Sequence, residues 1–313
     1  MNLHKKIEVI APATVANLSC GFDMLGLCLD FDADIFTFTI VEKAGLRITD
    51  ISGATLSKDL EENVAGVAGL ALWNAMTEKP HFGIEVTINK KMTVGSGLGS
   101  SAASAAAMVF GLNQLFGTPF STTELVFFAM QGEKLVSGQA HADNVSPALF
   151  GGITAVTSYE PLHVKKLPTP NDLYIIIIHP ETQLKTSTAR SVLPTSMTYK
   201  SNTKQMGFLT NFITGLYESD ADLIQKGLHD VLVEPYRKKL MPFFDEFKTS
   251  AMSTGSLGFG ISGAGPSMFA MCFGESKAAK ISEELNRKSI DLGIKANCFI
   301  SKINKYGIQY KEI

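Results

Sequence analysis

The sequence lacks any strong excess of charge. Its 28 basic and 30 acidic residues give a formal net charge of -2, and no long run of either sign occurs. A protein that binds nucleic acid or an anionic membrane surface by electrostatics needs a basic patch or stripe. We therefore expect no nucleic-acid partner and no membrane partner, and we expect the ligand to be a small molecule.

Cysteine and long apolar segments are also scarce. Cys20, Cys28, Cys272 and Cys298 have neither the spacing of metal ligands nor the density of a disulfide framework. Buried free thiols in a reducing compartment are the simpler interpretation. No stretch approaches the roughly 20 apolar residues that span a bilayer, and residues 1–6 are not followed by the apolar core of a signal peptide. These absences predict a cytoplasmic protein.

The chain is long and apolar enough for two domains. It has 313 residues, of which 45% are hydrophobic and 19% charged. Periodicity predicts strands at residues 6–10, 34–41, 82–88, 174–179, 268–273, 296–303 and 307–310. It predicts helices at residues 63–76, 121–138, 186–192, 200–218, 220–233, 235–249 and 277–289. This alternation, with prolines near residue 160, predicts an α+β protein with domains at 1–158 and 159–313.

A glycine- and serine-rich stretch has the chemistry of an anion-binding loop. It lies between a predicted strand and an alanine-rich helix. Glycine lets successive backbone N–H groups turn toward one point, and the helix directs its unpaired N–H groups and the positive end of its dipole to the same place. The residues predicted to bind phosphate are Gly95, Ser96, Gly97, Leu98, Gly99, Ser100 and Ser101.

The context of the glycine motifs argues against two common nucleotide-binding loops. The dinucleotide fingerprint at residues 258–263 runs into a strand instead of a helix, and the one at residues 97–102 has no acidic strand end about 20 residues later. A Walker A loop requires a lysine, which neither stretch offers. A lysine-free loop would need Mg²⁺, for which the Ser101 hydroxyl and the Glu133 carboxylate are candidate ligands.

Polar side chains are concentrated in two further segments of mostly small residues, 11–26 and 139–152. Polar groups in such surroundings need partners. Taken alone, the first segment is more simply a turn with self-capping side chains, and Glu133 is more simply a surface residue. The polar residues that we consider candidates in the two segments are Asn17, Ser19, Asp23, His141, Asp143 and Asn144.

Three motifs in this order resemble those of the GHMP kinases. They are Ala-Pro-Ala-Thr-Val-Ala-Asn-Leu-Ser-Cys-Gly-Phe-Asp at 11–23, Gly-Ser-Gly-Leu-Gly-Ser-Ser-Ala at 95–102, and Gly-Ile-Ser-Gly-Ala-Gly-Pro-Ser at 260–267. Within the family, residues 16–26 and 141–152 are most similar to the homoserine kinases. Because the motifs span nearly the whole chain, the resemblance is more specific than any single glycine pattern.

The resemblance implies a two-domain GHMP kinase fold. Its N-terminal domain would be like the second domain of ribosomal protein S5, and its C-terminal domain would be ferredoxin-like. ATP would phosphorylate the side-chain hydroxyl of L-homoserine to O-phospho-L-homoserine, in threonine biosynthesis. The triphosphate would lie on residues 95–101, Mg²⁺ between Ser101 and Glu133, and the adenosine near Asn63. A homodimer is compatible with this resemblance.

The resemblance also implies a substrate pocket. Of only four arginines, Arg190 and Arg237 match positions that hold the substrate carboxylate, for which a guanidinium fork is suited. Without the family, surface ion pairs would be the simpler interpretation of both. Asp23 matches the partner of the substrate ammonium group. The other residues implied to line the pocket are Asn17, His141 and Asp143.

Two mechanisms and two other functions stay open at this point. Asp143 stands where mevalonate kinase has a catalytic base, whereas the homoserine kinase pattern assigns positioning of the hydroxyl to Asn144. A loose transition state for phosphoryl transfer makes positioning and charge stabilisation sufficient. The alternative functions are a GHMP kinase that acts on a different alcohol and a catalytically silent binding protein of the same fold.

Overall fold

Eleven strands in two sheets and ten α-helices make up the computed structural model, which describes residues 5–313 apart from the side chain of Asp32. The strands are β1 (Lys6–Ala16), β2 (Leu25–Val41), β3 (Gly45–Ser52), β4 (Gly83–Asn89), β5 (Ile153–Tyr159), β6 (Leu162–Leu167), β7 (Leu173–Pro180), β8 (Gly258–Ile261), β9 (Met268–Phe273), β10 (Ala296–Lys302) and β11 (Gln309–Glu312). The helices are α1 (Val64–Ala75), α2 (Ser100–Leu115), α3 (Thr122–Ser137), α4 (Val145–Phe150), α5 (Thr186–Ser191), α6 (Tyr199–Glu218), α7 (Ala221–Gly227), α8 (Glu234–Arg237), α9 (Phe244–Ser253) and α10 (Glu275–Asp291).

The two sheets differ in size and in the helices that cover them. The first has seven strands: the order β11-β1-β2-β4-β3 is extended by β5, which pairs with β2, and by β6, which pairs with β5. Helix α2 packs on β1 and β2, and α1, α3 and α4 pack around α2. The second sheet has the antiparallel order β10-β7-β9-β8, with α9 and α10 packed against it. The predicted α+β architecture is therefore confirmed.

The alanine-rich helix α2 lies at the centre of the first core. Nearly every residue from Ala102 to Leu115 is buried, as expected for a helix that is apolar on all sides. Small side chains let it approach the sheet closely, and a methyl group added to Gly111 would overlap the ring of Phe38. This packing fixes the position of the N-terminus of α2, where the predicted phosphate loop ends.

The division of the chain between residues 158 and 159 stays a prediction. The sheet pairing shows which later strands belong to the first sheet. Strands β6 and β11 follow residue 158, but both belong to the first sheet. The final strand pairs with β1, with Val9 opposite Tyr310.

Among residues 5–313, no helix combines the length and the apolar character that a bilayer crossing requires.

Two predicted helices are wrong in their extent. The helix expected over residues 220–233 ends at Gly227, because the Asp230 carboxylate accepts hydrogen bonds from backbone N–H groups at positions 232–234 and forms a turn. The helix expected over residues 235–249 is interrupted at Phe243, whose φ of +72° is left-handed. Strands β3, β5, β6 and β8 and helix α4 were not predicted.

A buried ion pair joins the first sheet to the start of α2. Asp34 on β2 and Lys90, just after β4, are paired with side chains that are 0% and 1% exposed. The Asp34 carboxylate also accepts backbone N–H groups at positions 91–92. The Lys90 ammonium donates to the backbone C=O of Ser100 at 3.0 Å and to Ser104 Oγ at 2.9 Å. The pair therefore holds the first turn of α2 against two strands.

Removal of one partner should destabilise the fold strongly. Lys90→Met leaves the Asp34 charge buried and uncompensated, and we expect the free energy of unfolding to fall by about 3–5 kcal/mol in urea titrations. Asp34→Asn added to this variant should restore part of the loss, because the uncharged amide oxygen can still accept the backbone N–H groups. Lys58→Met, which breaks an exposed pair with Asp50, should change stability by less than about 1 kcal/mol. Equal effects of the two lysine variants would contradict this interpretation.

Candidate active site

One cavity of about 350 Å³ brings together residues from distant parts of the chain. It lies where the glycine loop, the segment before α4, helix α5 and the loop after β8 meet. The predicted site residues that line it are Asn17, Asp23, Gly95, Ser96, Gly97, Gly99, Ser100, Ser101, Glu133, His141, Asp143, Asn144, Arg190 and Arg237. The structure thus places phosphate, metal and substrate candidates around a single space.

The glycine loop has the backbone geometry that its sequence predicts. Gly95, Gly97 and Gly99 have φ angles of +77°, +80° and +69°, which side chains disfavour. Gly99 is the N-cap of α2 and no described side chain caps this helix, so the N–H groups of its first turn can bind an anion. A methyl group at Gly99 would overlap Thr14 Oγ1, which makes glycine necessary there for a second reason.

The loop after β8 holds the glycine loop in place. Ser262 Oγ donates to the backbone C=O of Gly97 at 2.6 Å, and the N–H of Ser267 donates to the C=O of Ser96 at 3.2 Å. The same loop is tied to the first motif, because Asn17 Nδ2 donates to the C=O of Gly263 at 2.9 Å. The three sequence motifs therefore form one hydrogen-bonded unit.

Two residues predicted to bind the nucleotide do not line the cavity. Leu98 is 7% exposed, and its backbone C=O accepts the N–H of Thr14. Asn63 caps α1: its side-chain oxygen accepts the N–H of Ala65, and its Nδ2 donates to the C=O of Ser57 at 2.7 Å. Their roles at the nucleotide stay predictions.

Glu133 on α3 is a buried carboxylate, not the surface residue that its spacing alone suggests. Burial raises the pKa of the Glu133 carboxyl to about 7, against the opposing effects of the Ser101 hydroxyl and the Lys90 charge. Within the described residues, Glu133 Oε1 has no hydrogen-bond partner. A buried, unpartnered carboxylate oxygen beside a hydroxyl suits a hard cation such as Mg²⁺.

The protein alone offers few ligands for such a cation. Residues 5–313 contain no group of three or more His, Cys, Asp or Glu side chains placed to hold a metal. Phosphate oxygens and water would therefore have to complete the coordination shell around Ser101 and Glu133, as is usual for Mg²⁺ at nucleotide sites.

Asp143 and Asn144 lie at the start of α4, close to Thr14 of β1 and Gly26 of β2. Burial, together with the charges of Asp23 and Glu133, raises the pKa of the Asp143 carboxyl to about 7. The hydroxyl of Thr14 donates to Asn144 Oδ1 at 2.8 Å, so the amide presents its Nδ2 as a donor. An acid that can exchange a proton near neutral pH thus lies beside a fixed hydrogen-bond donor.

Asp23 and Arg190 form a bidentate ion pair across the cavity. Arg190 donates to the two carboxylate oxygens at 2.9 and 3.2 Å. His141 Nδ1 lies 3.6 Å from the same carboxylate, and Asn17 Oδ1 accepts the backbone N–H of Asp23 at 3.0 Å. Burial lowers the pKa of His141, although the Asp23 charge opposes this effect, so the neutral ring is favoured.

Arg237 is the second basic group of this pocket and is only 2% exposed. Its guanidinium donates to the backbone C=O groups of Ala189 and Gly263 at 3.0 and 2.8 Å. Burial, followed by the charge of Arg190, lowers the pKa of Arg237 to about 10. Both guanidinium groups lie over the Phe22 ring, 5.2 Å from its centroid for Arg190 and 5.0 Å for Arg237.

The sequence interpretation missed several residues of this site. Phe22 and Thr14 lie inside the first motif, so their closeness in sequence to residues already assigned to the site could have identified them. Residues 184–187, which also line the cavity, belong to no motif and carry no periodic pattern that points to the site. These residues lie at the cavity only because of the path that the chain takes after β7.

Comparisons with known protein families identify the same family for both halves of the chain. The family model described as "GHMP kinases N terminal domain" matches residues 63–152, and the one described as "GHMP kinases C terminal" matches residues 212–291. Together they cover more than half of the chain.

Individual relatives cover nearly its full length. A homoserine kinase of Chlorobium phaeobacteroides is 38% identical over 317 aligned positions, which cover 97% of this chain and 98% of the relative. A homoserine kinase of Methanococcus vannielii is 39% identical over 85% of this chain and 88% of its own. The crystal structure of homoserine kinase from Cytophaga hutchinsonii superposes with a TM-score of 0.94 at 41% identity, over 99% of both chains. The chain therefore belongs to the GHMP kinase family and, within it, to the homoserine kinases.

Proposed function

We propose that the protein transfers the terminal phosphoryl group of ATP to the side-chain hydroxyl of L-homoserine and forms O-phospho-L-homoserine for threonine biosynthesis. The observation that carries this proposal is the pairing of Asp23 with Arg190, next to Arg237, in the cavity that contains the glycine loop. An amino-acid zwitterion offers an ammonium group to Asp23 and a carboxylate to the arginines. The homoserine kinase relatives give the same substrate by name.

The triphosphate of ATP would bind along residues 95–101. The left-handed glycines and the uncapped N-terminus of α2 support this assignment, because both direct backbone N–H groups toward an anion. Ser101 and Glu133 would hold Mg²⁺. When bound, Mg²⁺ supplies positive charge that neutralises the phosphate oxygens.

The protein would act mainly by positioning. With the ammonium and carboxylate groups of the substrate held at Asp23 and the two arginines, its hydroxyl extends toward Asn144. The Nδ2 of Asn144 can donate to the reacting oxygens, since Thr14 keeps Oδ1 engaged as an acceptor. The substrate oxygen then bonds to the terminal phosphorus, the bond from phosphorus to the bridging oxygen of ADP breaks, and the hydroxyl proton passes to the Asp143 carboxylate.

We also propose that the protein is cytoplasmic and forms a homodimer. The first proposal is supported by Cys20, Cys28, Cys272 and Cys298, which are all free thiols. The second follows from the family resemblance alone, and size-exclusion chromatography with light scattering would test it.

A substrate panel tests the proposed function. We expect ADP release from ATP and Mg²⁺ to be stimulated by L-homoserine and not by mevalonate, galactose or shikimate, because none of these three alcohols carries an ammonium group for Asp23. A coupled assay for ADP measures the rates. Stimulation by another alcohol would favour a different GHMP kinase activity, and no stimulation by any of them would favour a silent binding protein.

Asn144→Ala should remove most of the turnover. We expect kcat to fall about 10² to 10³-fold, the loss typical when one transition-state donor is removed. The Kd for ATP should change less than about twofold, because the backbone of the glycine loop makes the phosphate contacts. Asn202→Ala, at an exposed position of α6 outside the cavity, is the matched control. Near-normal turnover of Asn144→Ala would contradict the assignment.

The raised pKa of Asp143 predicts a pH-dependent loss of stability in the ligand-free protein. The folded pKa of about 7 lies above the ordinary value of 3.8, so the folded state binds the proton more tightly. The stability that this carboxyl contributes is therefore fully present below about pH 4 and is lost as the pH rises to about 7. Urea titrations across this range should show wild type losing stability relative to Asp143→Asn.

The exposed substitution Asp222→Asn is the control for this comparison. Its stability should follow that of the wild type across the same pH range. A constant difference between wild type and Asp143→Asn at every pH would show that Asp143 does not titrate in the predicted way.

A further inference from the structure

Residues 184–187 line the cavity, but the proposed mechanism gives them no part. They belong to the connection from β7 to α5, and Lys185 is the residue directly before that helix. The connection lies against the glycine loop: the N–H of Leu184 donates to the C=O of Gly95 at 3.5 Å, and Gln183 Cβ lies 3.7 Å from where a Gly95 side chain would begin. The backbone at Lys185 is thus held next to the predicted triphosphate site.

Three lysine and arginine residues line the cavity, and the side chains of two of them already bind other groups of the protein. Arg190 is paired with Asp23, and Arg237 is bound to the C=O groups of Ala189 and Gly263. Lys185 is exposed, and within residues 5–313 its side chain makes neither a hydrogen bond nor an ion pair. It is therefore the cavity cation that is free to move to a ligand.

The charges in the cavity create a need for such a cation. ATP brings a highly charged triphosphate to a space that already contains the carboxylates of Asp23, Glu133 and Asp143. During transfer, negative charge is spread over the three equatorial oxygens of the moving phosphoryl group, which bound cations stabilise. The glycine loop itself has no lysine, in contrast to a Walker A loop.

We propose that Lys185 binds the transferred phosphoryl group of ATP and so supplies, from a later segment of the chain, the lysine that the glycine loop lacks. The proposal rests on the proposed kinase activity. A lysine ammonium on a flexible four-carbon stem acts as a mobile point charge, which suits contact with both the bound and the transferring group. Lys185 takes no part in the proton transfer.

The test compares ligands that differ only in the terminal phosphoryl group. In Lys185→Met, we expect kcat with homoserine to fall about 10²-fold. The Kd for the non-hydrolysable analogue β,γ-imido-ATP should rise at least about fivefold, whereas the Kd for ADP should change less than about twofold. Lys185→Arg, which keeps the charge, should recover part of kcat. Lys200→Met, an exposed lysine on α6 outside the cavity, should match wild type.

The outcomes separate this inference from the proposed function. If wild type shows no turnover stimulated by homoserine, the proposed function fails, and the comparison of β,γ-imido-ATP with ADP still reports on Lys185. If wild type is active and Lys185→Met retains its kcat and its affinity ratio for the two nucleotides, the inference about Lys185 is overturned. Equal loss of affinity for ADP and for the analogue would also overturn it, because that result indicates a structural role.

Discussion

The buried ion pair between Asp34 and Lys90 is the interaction on which the predicted phosphate site depends. It connects two strands of the first sheet to Ser100, the first residue of α2. Burial lowers the pKa of Lys90, and the adjacent Asp34 charge opposes this effect. An anion site built from backbone N–H groups works only if those groups are held rigidly, because it has no flexible side chain to compensate for a displacement. The pair and the close packing of α2 provide that rigidity.

Two carboxylates in the same cavity differ in their contacts. Burial raises the pKa of Glu133 and of Asp143 to about 7 in each case. Glu133 lies beside the Ser101 hydroxyl and has an unpartnered oxygen, so a bound cation would favour its charged form. Asp143 is buried near the charges of Asp23 and Glu133, which favours its protonated form, although the N–H of Asn144 that it accepts opposes this effect. One side of the cavity is thereby suited to a metal and the other to a proton.

Much of this site could be predicted from the sequence, because its chemistry depends on residue types in fixed local order. The glycines at 95, 97 and 99 specify their own backbone geometry, and the homoserine kinase motifs locate Asp23 and Asn144. The burial of Glu133 could not be read from helix spacing, since the elements that cover it come from elsewhere in the chain. Lys185 lines the cavity because of the path that the chain takes after β7. Strand β11 pairs with β1 although the two strands lie at opposite ends of the sequence.

The Asp23 and Arg190 ion pair explains why a zwitterion would be selected. Without substrate, the two charges satisfy each other in a partly buried setting, with side chains 26% and 23% exposed. A ligand that separates them must therefore replace both halves of the pair, because an unpaired charge in this position is unfavourable. An amino acid would do so with its ammonium and carboxylate groups, and Phe22 and Arg237 line the same cavity. Under the proposed function, an alcohol that lacks either charge could separate the pair only by leaving Asp23 or Arg190 without a partner, so the pair would discriminate against it before phosphoryl transfer begins.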